Sequence, residues 1–250
     1  MKSILTHNQK EYRIDLSKPL DISIPLHGNA TNVNAWYLGH PKIEPHKNDN
    51  FIGSVTQGAS TNFNDIWFNP HAHGTHTECV GHITKDFYSV NQSLNQFYYL
   101  AEVVTVAPEK NKDDLVISRQ LLQNTLKDKK SKALVVRTLP NTVAKKSRQY
   151  SNTNPPYLTK EAAEYLKEIG VEHLLVDLPS IDKEKDDGAL LAHKAFWDFE
   201  GEIRENATIT EFVYVDNDIP DGTYLLNLQV APFENDASPS RPVLYKTLQP

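Results

Sequence analysis

The chain has 250 residues, 39% apolar and 23% charged, with a formal net charge of -6. That is enough length for a full hydrophobic core, and the acidic balance excludes the basic surface that nucleic acid or an anionic membrane would need. The single cysteine, Cys79, excludes an internal disulfide framework. The start, Met1 to His7, turns polar at once, and no run approaches the roughly 20 apolar residues of a membrane span, so a cytoplasmic protein is the expectation.

Taken in chain order, residues 12–16 and 20–26 alternate apolar and polar side chains as half-buried strands do. Residues 27–50 lack periodicity and read as a long loop, the kind that is usually functional; a further strand is expected over 51–56. A short helix is expected near 93–97 and a buried strand over 98–106, rich in valine and tyrosine. Ser118 suits the N-cap of a helix over 119–127, with Leu121, Leu122 and Leu126 on one face. Residues 133–138 read as a core strand, and 140–157, with Pro155-Pro156, as a loop. Thr159 caps a helix that runs through Ile169 and stops at Gly170, with Ala162, Ala163 and Leu166 inward. A strand over 171–176, a helix over 189–199, and strands over 209–215, 223–231 and 243–247 complete a mixed α/β chain in which strands outnumber helices. No repeat or linker divides it, so one domain over 1–250 is expected.

The densest chemical signal lies in His71-Ala72-His73-Gly74-Thr75-His76-Thr77-Glu78-Cys79-Val80-Gly81-His82, which holds four of the ten histidines and one carboxylate. Imidazole and carboxylate are the ligands of zinc and related divalent ions. His76 and Glu78 are two apart, so an extended segment points both to one face. His71, folded back at Gly74, would complete a set of two histidines and one carboxylate that leaves positions open for a water. A bound zinc lowers the pKa of such a water to about 7, giving a hydroxide nucleophile. His82, six residues beyond His76, suits a proton carrier, because imidazole as a group titrates near neutrality. A structural metal and a metal-free histidine-rich loop are the competing readings; structural zinc usually takes several cysteines, and here there is one. Cys79 would point away from its neighbour Glu78 and reads as a small buried hydrophobe. His7, His27, His40, His46 and His173 read as ordinary surface or hydrogen-bonded histidines, and Asp186-Asp187 with Lys183 and Lys185 as a solvated loop.

The cluster resembles the signature of the cyclase-type metal hydrolases, a family that includes bacterial kynurenine formamidase and isatin hydrolase and whose motif reads His-x-Gly-Thr-His-x-Asp-x-Pro-x-His. Gly74, Thr75, His76, the acidic Glu78 and His82 fall at matching positions. Asp21 to Leu26 resembles the family's Asp-Leu-Ser-x-Pro-Leu opening, and Asp177-Leu178-Pro179-Ser180-Ile181-Asp182 its Asp-x-Pro-Ser-x-Asp stretch. His193 and Glu205, twelve apart, match its C-terminal histidine and glutamate, so the likeness runs from about residue 20 to 215. The chain departs at three positions. Ala72 stands where the first family histidine belongs, with His71 favoured over His73 as its substitute; Glu78 replaces an aspartate; Val80 replaces a proline. Extra length falls in 27–70 and 140–157.

The resemblance implies a swivelling β/β/α fold, a strand-rich mixed sheet with flanking helices, assembled as homodimers or homotetramers. It implies two divalent ions, zinc or manganese: one held by His71, His76 and Glu78, the other by Glu78, His193 and Glu205, with Glu78 bridging and His82 as general base or acid. Trp36 lies where the family often has a pocket aromatic, and Glu200 and Glu202 are weaker rivals of Glu205. The expected activity is hydrolysis of a C–N bond in a small amide, formamide, cyclic imide or lactam, of the kynurenine formamidase type found in tryptophan catabolism. The alternatives are a catalytically silent metal- or ligand-binding protein with the same fold and a structural zinc fold.

Overall fold

Ala133–Thr138 is buried at every position, and a strand covered on both faces needs a near-continuous apolar run of this kind. The computed structural model describes residues 1–127 and 129–248, and places this strand at the centre of an eleven-stranded sheet. In chain order the strands are β1 (Lys2–His7), β2 (Lys10–Asp15), β3 (Leu20–Asp21), β4 (His76–Glu78), β5 (Tyr98–Val106), β6 (Ala133–Thr138), β7 (His173–Val176), β8 (Thr208–Glu211), β9 (Gly222–Asn227), β10 (Ala237–Pro239) and β11 (Val243–Leu248). Their spatial order is β1-β2-β11-β9-β5-β6-β7-β8-β4-β10, with β3 on β11. The four strands β5, β6, β7 and β8 run parallel, and the strands on either side of them are antiparallel.

The α-helices are α1 (Pro70–His73), α2 (Val90–Ser93), α3 (Arg119–Leu126), α4 (Lys160–Glu168) and α5 (Leu191–Phe196). The N-caps of α3 and α4 act as expected: Ser118 Oγ accepts from the Leu121 amide, and Thr159 Oγ1 from that of Ala162. Leu122, Leu126, Ala162, Leu166, Phe196 and Trp197 press these helices onto Val104, Leu134, Val136, Leu174 and Val176 of the sheet. The opposite face of the sheet, with Val103, Ala133, Val135 and Leu175, packs with Ile22, Val213, Tyr224, Leu226 and Leu244. This is the expected strand-rich sheet with helices flanking one face. Among the described residues no helix is long and apolar enough to cross a membrane.

Several boundaries move, each for a local reason. The expected strand over 209–215 ends at Glu211, because Phe212 adopts a positive φ of 55° and turns the chain out of the ladder. The one over 20–26 pairs only at Leu20–Asp21, after which the buried Ile22 bonds singly to Pro242 and Tyr214. The helix expected at 93–97 forms earlier, at Val90–Ser93. The long loop folds its far part into hairpins, Lys42–Pro45 against Asn64–Trp67 and Lys47–Asn48 against Phe51–Ile52.

His173 on β7 is buried beneath the Tyr99 ring, 4.2 Å between centroids, with Nδ1 2.9 Å from Thr208 Oγ1. Burial pushes its pKa down from 6.5 to about 4. Above pH 6.5 both folded and unfolded chains hold it neutral; below that the unfolded chain takes a proton the native chain refuses until about pH 4. Stability is therefore lost as pH falls through this window, by up to about 3 kcal/mol at ~1.4 kcal/mol per unit. Urea midpoints measured at about pH 7 and about pH 4.5 should differ less in His173→Gln than in the native chain.

Candidate metal centre

The ladder between β4 and β8 builds the site. His76 pairs with Glu211 and Glu78 with Ile209, so the side chains of His76, Glu78 and Glu211 share one face while Thr77 and Thr210 share the other. The two threonine hydroxyls meet at 2.8 Å on that second face. Gly74 leads the chain into β4 at φ 154°, a backbone that a side chain would strain. Thr75 then fixes the segment by accepting from the Ile24 amide and donating to the Phe212 carbonyl, at 2.8 and 2.5 Å.

The single turn α1 sends the two neighbouring histidines in different directions. Residues two apart on a helical turn point nearly opposite ways. His73 turns away, its Nδ1 accepting from the Asn69 amide and its Nε2 2.9 Å from the Gly39 carbonyl. His71 turns inward, with Nδ1 3.1 Å from Glu78 Oε2 and Nε2 2.9 Å from Asp236 Oδ2. Ala72 is fully buried between them.

His193, on α5, brings Nε2 to 3.0 Å from Glu78 Oε1 and 3.8 Å from Glu211 Oε1. Its Nδ1 lies 2.6 Å from Asp182, which also accepts from the Ala192 and His193 amides. Asp182 thus anchors the start of α5 and orients the imidazole together. Leu190, in the left-handed region at φ 47°, makes the turn into the helix. His82 stacks on His71 with centroids 4.3 Å apart, and its Nε2 lies 3.9 Å from Glu78 Oε2. Gly81 is required here, because a β-carbon would collide with the Tyr88 carbonyl oxygen.

Of the residues singled out in the sequence, His71, His76, Glu78, His82 and His193 come together. Glu205 does not: it is exposed on the turn between α5 and β8, where its amide bonds to the Ile203 carbonyl. Glu200 and Glu202 are exposed there too. The carboxylate at the cluster is Glu211, 3% exposed, with Oε2 3.5 Å from His76 Nε2. Its signal was a lone carboxylate in an otherwise apolar expected strand, since a buried charge demands a partner. Asp236, two residues from Glu234 in a loop, gave no such signal. Cys79 is buried, its Sγ 3.5 Å from the Tyr88 carbonyl, and burial pushes the thiol up. The 183–188 segment is a surface turn, with Asp186 accepting from the Gly188 and Leu190 amides.

The electrostatics favour a cation. Burial works against ionising Glu78, yet the charge of His82 and hydrogen bonds from His193 and His71 hold its carboxyl well below the usual range. Burial also opposes charge on His71, but hydrogen bonds to Asp236 and Glu78 push the imidazole up to about 10. The same opposition, overcome by Asp182 and Glu78, raises His193. Protons thus occupy a place suited to metal. His76 Nε2 is buried without a hydrogen-bond partner, while His76 Nδ1 lies 3.0 Å from the Gly74 carbonyl. Donor atoms of His71, His76 and Glu78 lie within 4.8 Å of one another, as do those of Glu78, His82 and His193. Three imidazoles with their far nitrogens tied to acceptors, and two converging carboxylates, fit one or two divalent ions.

Above the cluster opens a cleft of about 350 Å³ lined by Trp36, Leu38, Ser180 and Leu190 with His71, His82, His193 and Glu211. Trp36 and Tyr37 both adopt positive φ, 59° and 60°, a strained turn. It is held by Trp36 Nε1 donating to the His71 carbonyl at 3.0 Å and Tyr37 Oη to Glu184 at 2.6 Å. A larger groove of about 790 Å³ lies under the N-terminal hairpin, but its lining, with Ile4, Ile14 and Leu248, brings no imidazoles together.

The Cyclase family model, described as "Putative cyclase", matches residues 14–183. Among solved structures, a "potential metal-dependent hydrolase with cyclase activity" superposes at TM-score 0.64 and 16% identity, over 93% of this chain and 99% of its own. Isatin hydrolase A from Labrenzia aggregata, bound to benzyl benzoate, matches at TM-score 0.66 and 14% identity, covering 92% and 94%. An isatin hydrolase bound to the product analogue thioisatinate matches at 0.65 and 15%, covering 92% and 93%. At such identities the likeness is one of fold. No curated protein sequence matches the chain.

Proposed function

From the premise that this chain belongs to the cyclase family, we propose that it is a metal-dependent hydrolase of a C–N bond in a small amide, formamide, cyclic imide or lactam. The observation that carries this reading is the meeting of His76 Nε2, buried without a hydrogen-bond partner, with the buried Glu78 carboxylate, His71, His193 and a second carboxylate, Glu211, with His82 above them. His71, His76 and Glu78 would hold one ion, and Glu78, His193 and Glu211 a second. Zinc or manganese bound there supplies Lewis-acid activation of a water and of the scissile carbonyl.

The side chains do the rest. His82 is held where it can take a proton from the attacking water and return it to the leaving nitrogen, so that water adds across the bond to give a carboxylate and an amine, or an amide where the substrate is an imide. Trp36, Leu38 and Leu190 give the cleft apolar walls that suit a flat ring, and among the described residues no lysine or arginine lines it. The cleft volume of about 350 Å³ suits a small molecule. Three of the structural neighbours are named isatin hydrolase, which supports a ring amide as the first compound to try.

Turnover of isatin, N-formylkynurenine and simple cyclic imides by protein loaded with zinc or manganese tests the reading. Hydrolysis of at least one is expected. Tight metal binding with no hydrolysis of any would make the chain a silent metal-binding member of its family. During stepwise chelation, activity should vanish while near-ultraviolet circular dichroism persists; a simultaneous loss of both would make the metal structural.

A further inference from the structure

We infer that Asp236 is a positioning residue that sets the tautomers of His71 and His82 together, through one carboxylate oxygen. Its activity arm rests on the hydrolase reading; its spectroscopic arm does not. Asp236 Oδ2 lies 2.9 Å from His71 Nε2 and 3.3 Å from His82 Nδ1. The two rings stack at an interplanar angle of 28°, so one oxygen reaches an edge nitrogen of each.

An ionised carboxylate only accepts, so each nitrogen facing it must carry a proton. With a metal ion in place of the proton between His71 and Glu78, each imidazole is neutral with one N–H, and giving it to Asp236 leaves the lone pair on the opposite nitrogen. For His71 that is Nδ1, 3.1 Å from Glu78 Oε2; for His82 it is Nε2, 3.9 Å from the same oxygen. Both lone pairs therefore aim at the cluster. The first is the atom that would bind metal, and the second is the atom that would take a proton. Without Asp236 the remaining carboxylate contact of His82, Nε2 3.9 Å from Glu78 Oε2, favours the opposite tautomer.

The backbone makes this arrangement rigid. Asp236 immediately precedes β10, its carbonyl accepts from the Cys79 amide at 3.0 Å, and the next residue, Ala237, pairs with Glu78. The carboxylate is thus fixed relative to the strand that carries the central glutamate. Asp182 does the same for His193 alone, through Nδ1 at 2.6 Å; Asp236 serves two rings, tying a candidate ligand to the proton carrier.

Long-range proton–nitrogen correlation spectra of nitrogen-15 histidine in the zinc-loaded full chain test this, with His82 assigned by its absence in His82→Gln. The native chain should show His82 in a single tautomer, protonated at Nδ1. In Asp236→Asn that signal should become mixed or change tautomer. Zinc stoichiometry should hold, while zinc affinity and, on a hydrolysed substrate, kcat each fall about 10- to 100-fold, the usual size of an outer-shell effect, with KM little changed. A purely structural role would lower the melting temperature and leave the tautomer alone, which overturns the inference. Loss of one whole zinc equivalent also overturns it, by making Asp236 a ligand. If Asp236→Asn does not fold, the native spectrum still decides: His82 protonated at Nε2 contradicts the assignment. A native chain that hydrolyses nothing defeats the hydrolase reading and leaves the spectra to decide this one.

Discussion

Glu211→Gln will lower the affinity for zinc or manganese by more than about 100-fold, beyond what outer-shell changes produce, whereas Glu205→Gln will leave it unchanged. Glu211 stands opposite His76 in the ladder and brings Oε2 to 3.5 Å from that imidazole's unpartnered Nε2. Glutamine keeps the shape and can still accept from the Ile181 amide, which Glu211 Oε1 does at 3.0 Å. What it removes is one of two negative charges facing three imidazoles, so the fold should survive while the cation loses a ligand. Glu205 is exposed on the turn before β8 and faces no imidazole of the cluster. Competition titration against a chromophoric chelator measures both variants. A drop in Glu205→Gln with none in Glu211→Gln would reverse the assignment.

His82→Gln is the second large effect. Its hydrolysis rate should fall about 10²- to 10⁴-fold, the range of a general acid–base group, with two ions or one still bound as in the native chain. His82 is half-buried and touches Glu78 only at 3.9 Å, against 3.0 Å for His193 and 3.1 Å for His71. That spacing suits a group beside the ligands rather than among them. Metal content after dialysis, measured with the rate, separates the roles: loss of an ion along with activity would make His82 a ligand.

What was legible in the sequence follows the range of the forces involved. Ser118 and Thr159 announce their helices because a cap acts across three residues, and β5 and β6 announce themselves because burial on both faces leaves a mostly apolar run. His76 and Glu78 share a face by strand period alone. The residues before Gly74 favour His71 over His73 from sequence, and the turn α1 is what sends the two imidazoles apart. Glu205 was chosen by spacing from His193. Spacing along the chain cannot see the compact turn between α5 and β8, where Trp197 Nε1 bonds to the Ala207 carbonyl and Arg204 to those of Phe196 and Val171. That turn holds Glu205 at the surface, and the ladder register brings Glu211 to the cluster. Asp236 was illegible because its partner His71 lies 165 residues away, and no local pattern encodes such a meeting.

The order of strands around β4 also bears on how the chain comes into being. β4 carries the central histidine and glutamate, yet both its neighbours arrive late: Thr210 on β8 meets Thr77 across 133 residues, and β10 follows further on. During synthesis the segment with the most imidazoles therefore leaves the ribosome long before Glu211 or Asp236 exists to complete its surroundings. Contacts this distant in sequence pay their loop-closure entropy before they return any stabilisation. The cluster is thus among the last parts of the protein to become whole, and an ion that needs both carboxylates can be held firmly only by a nearly finished chain.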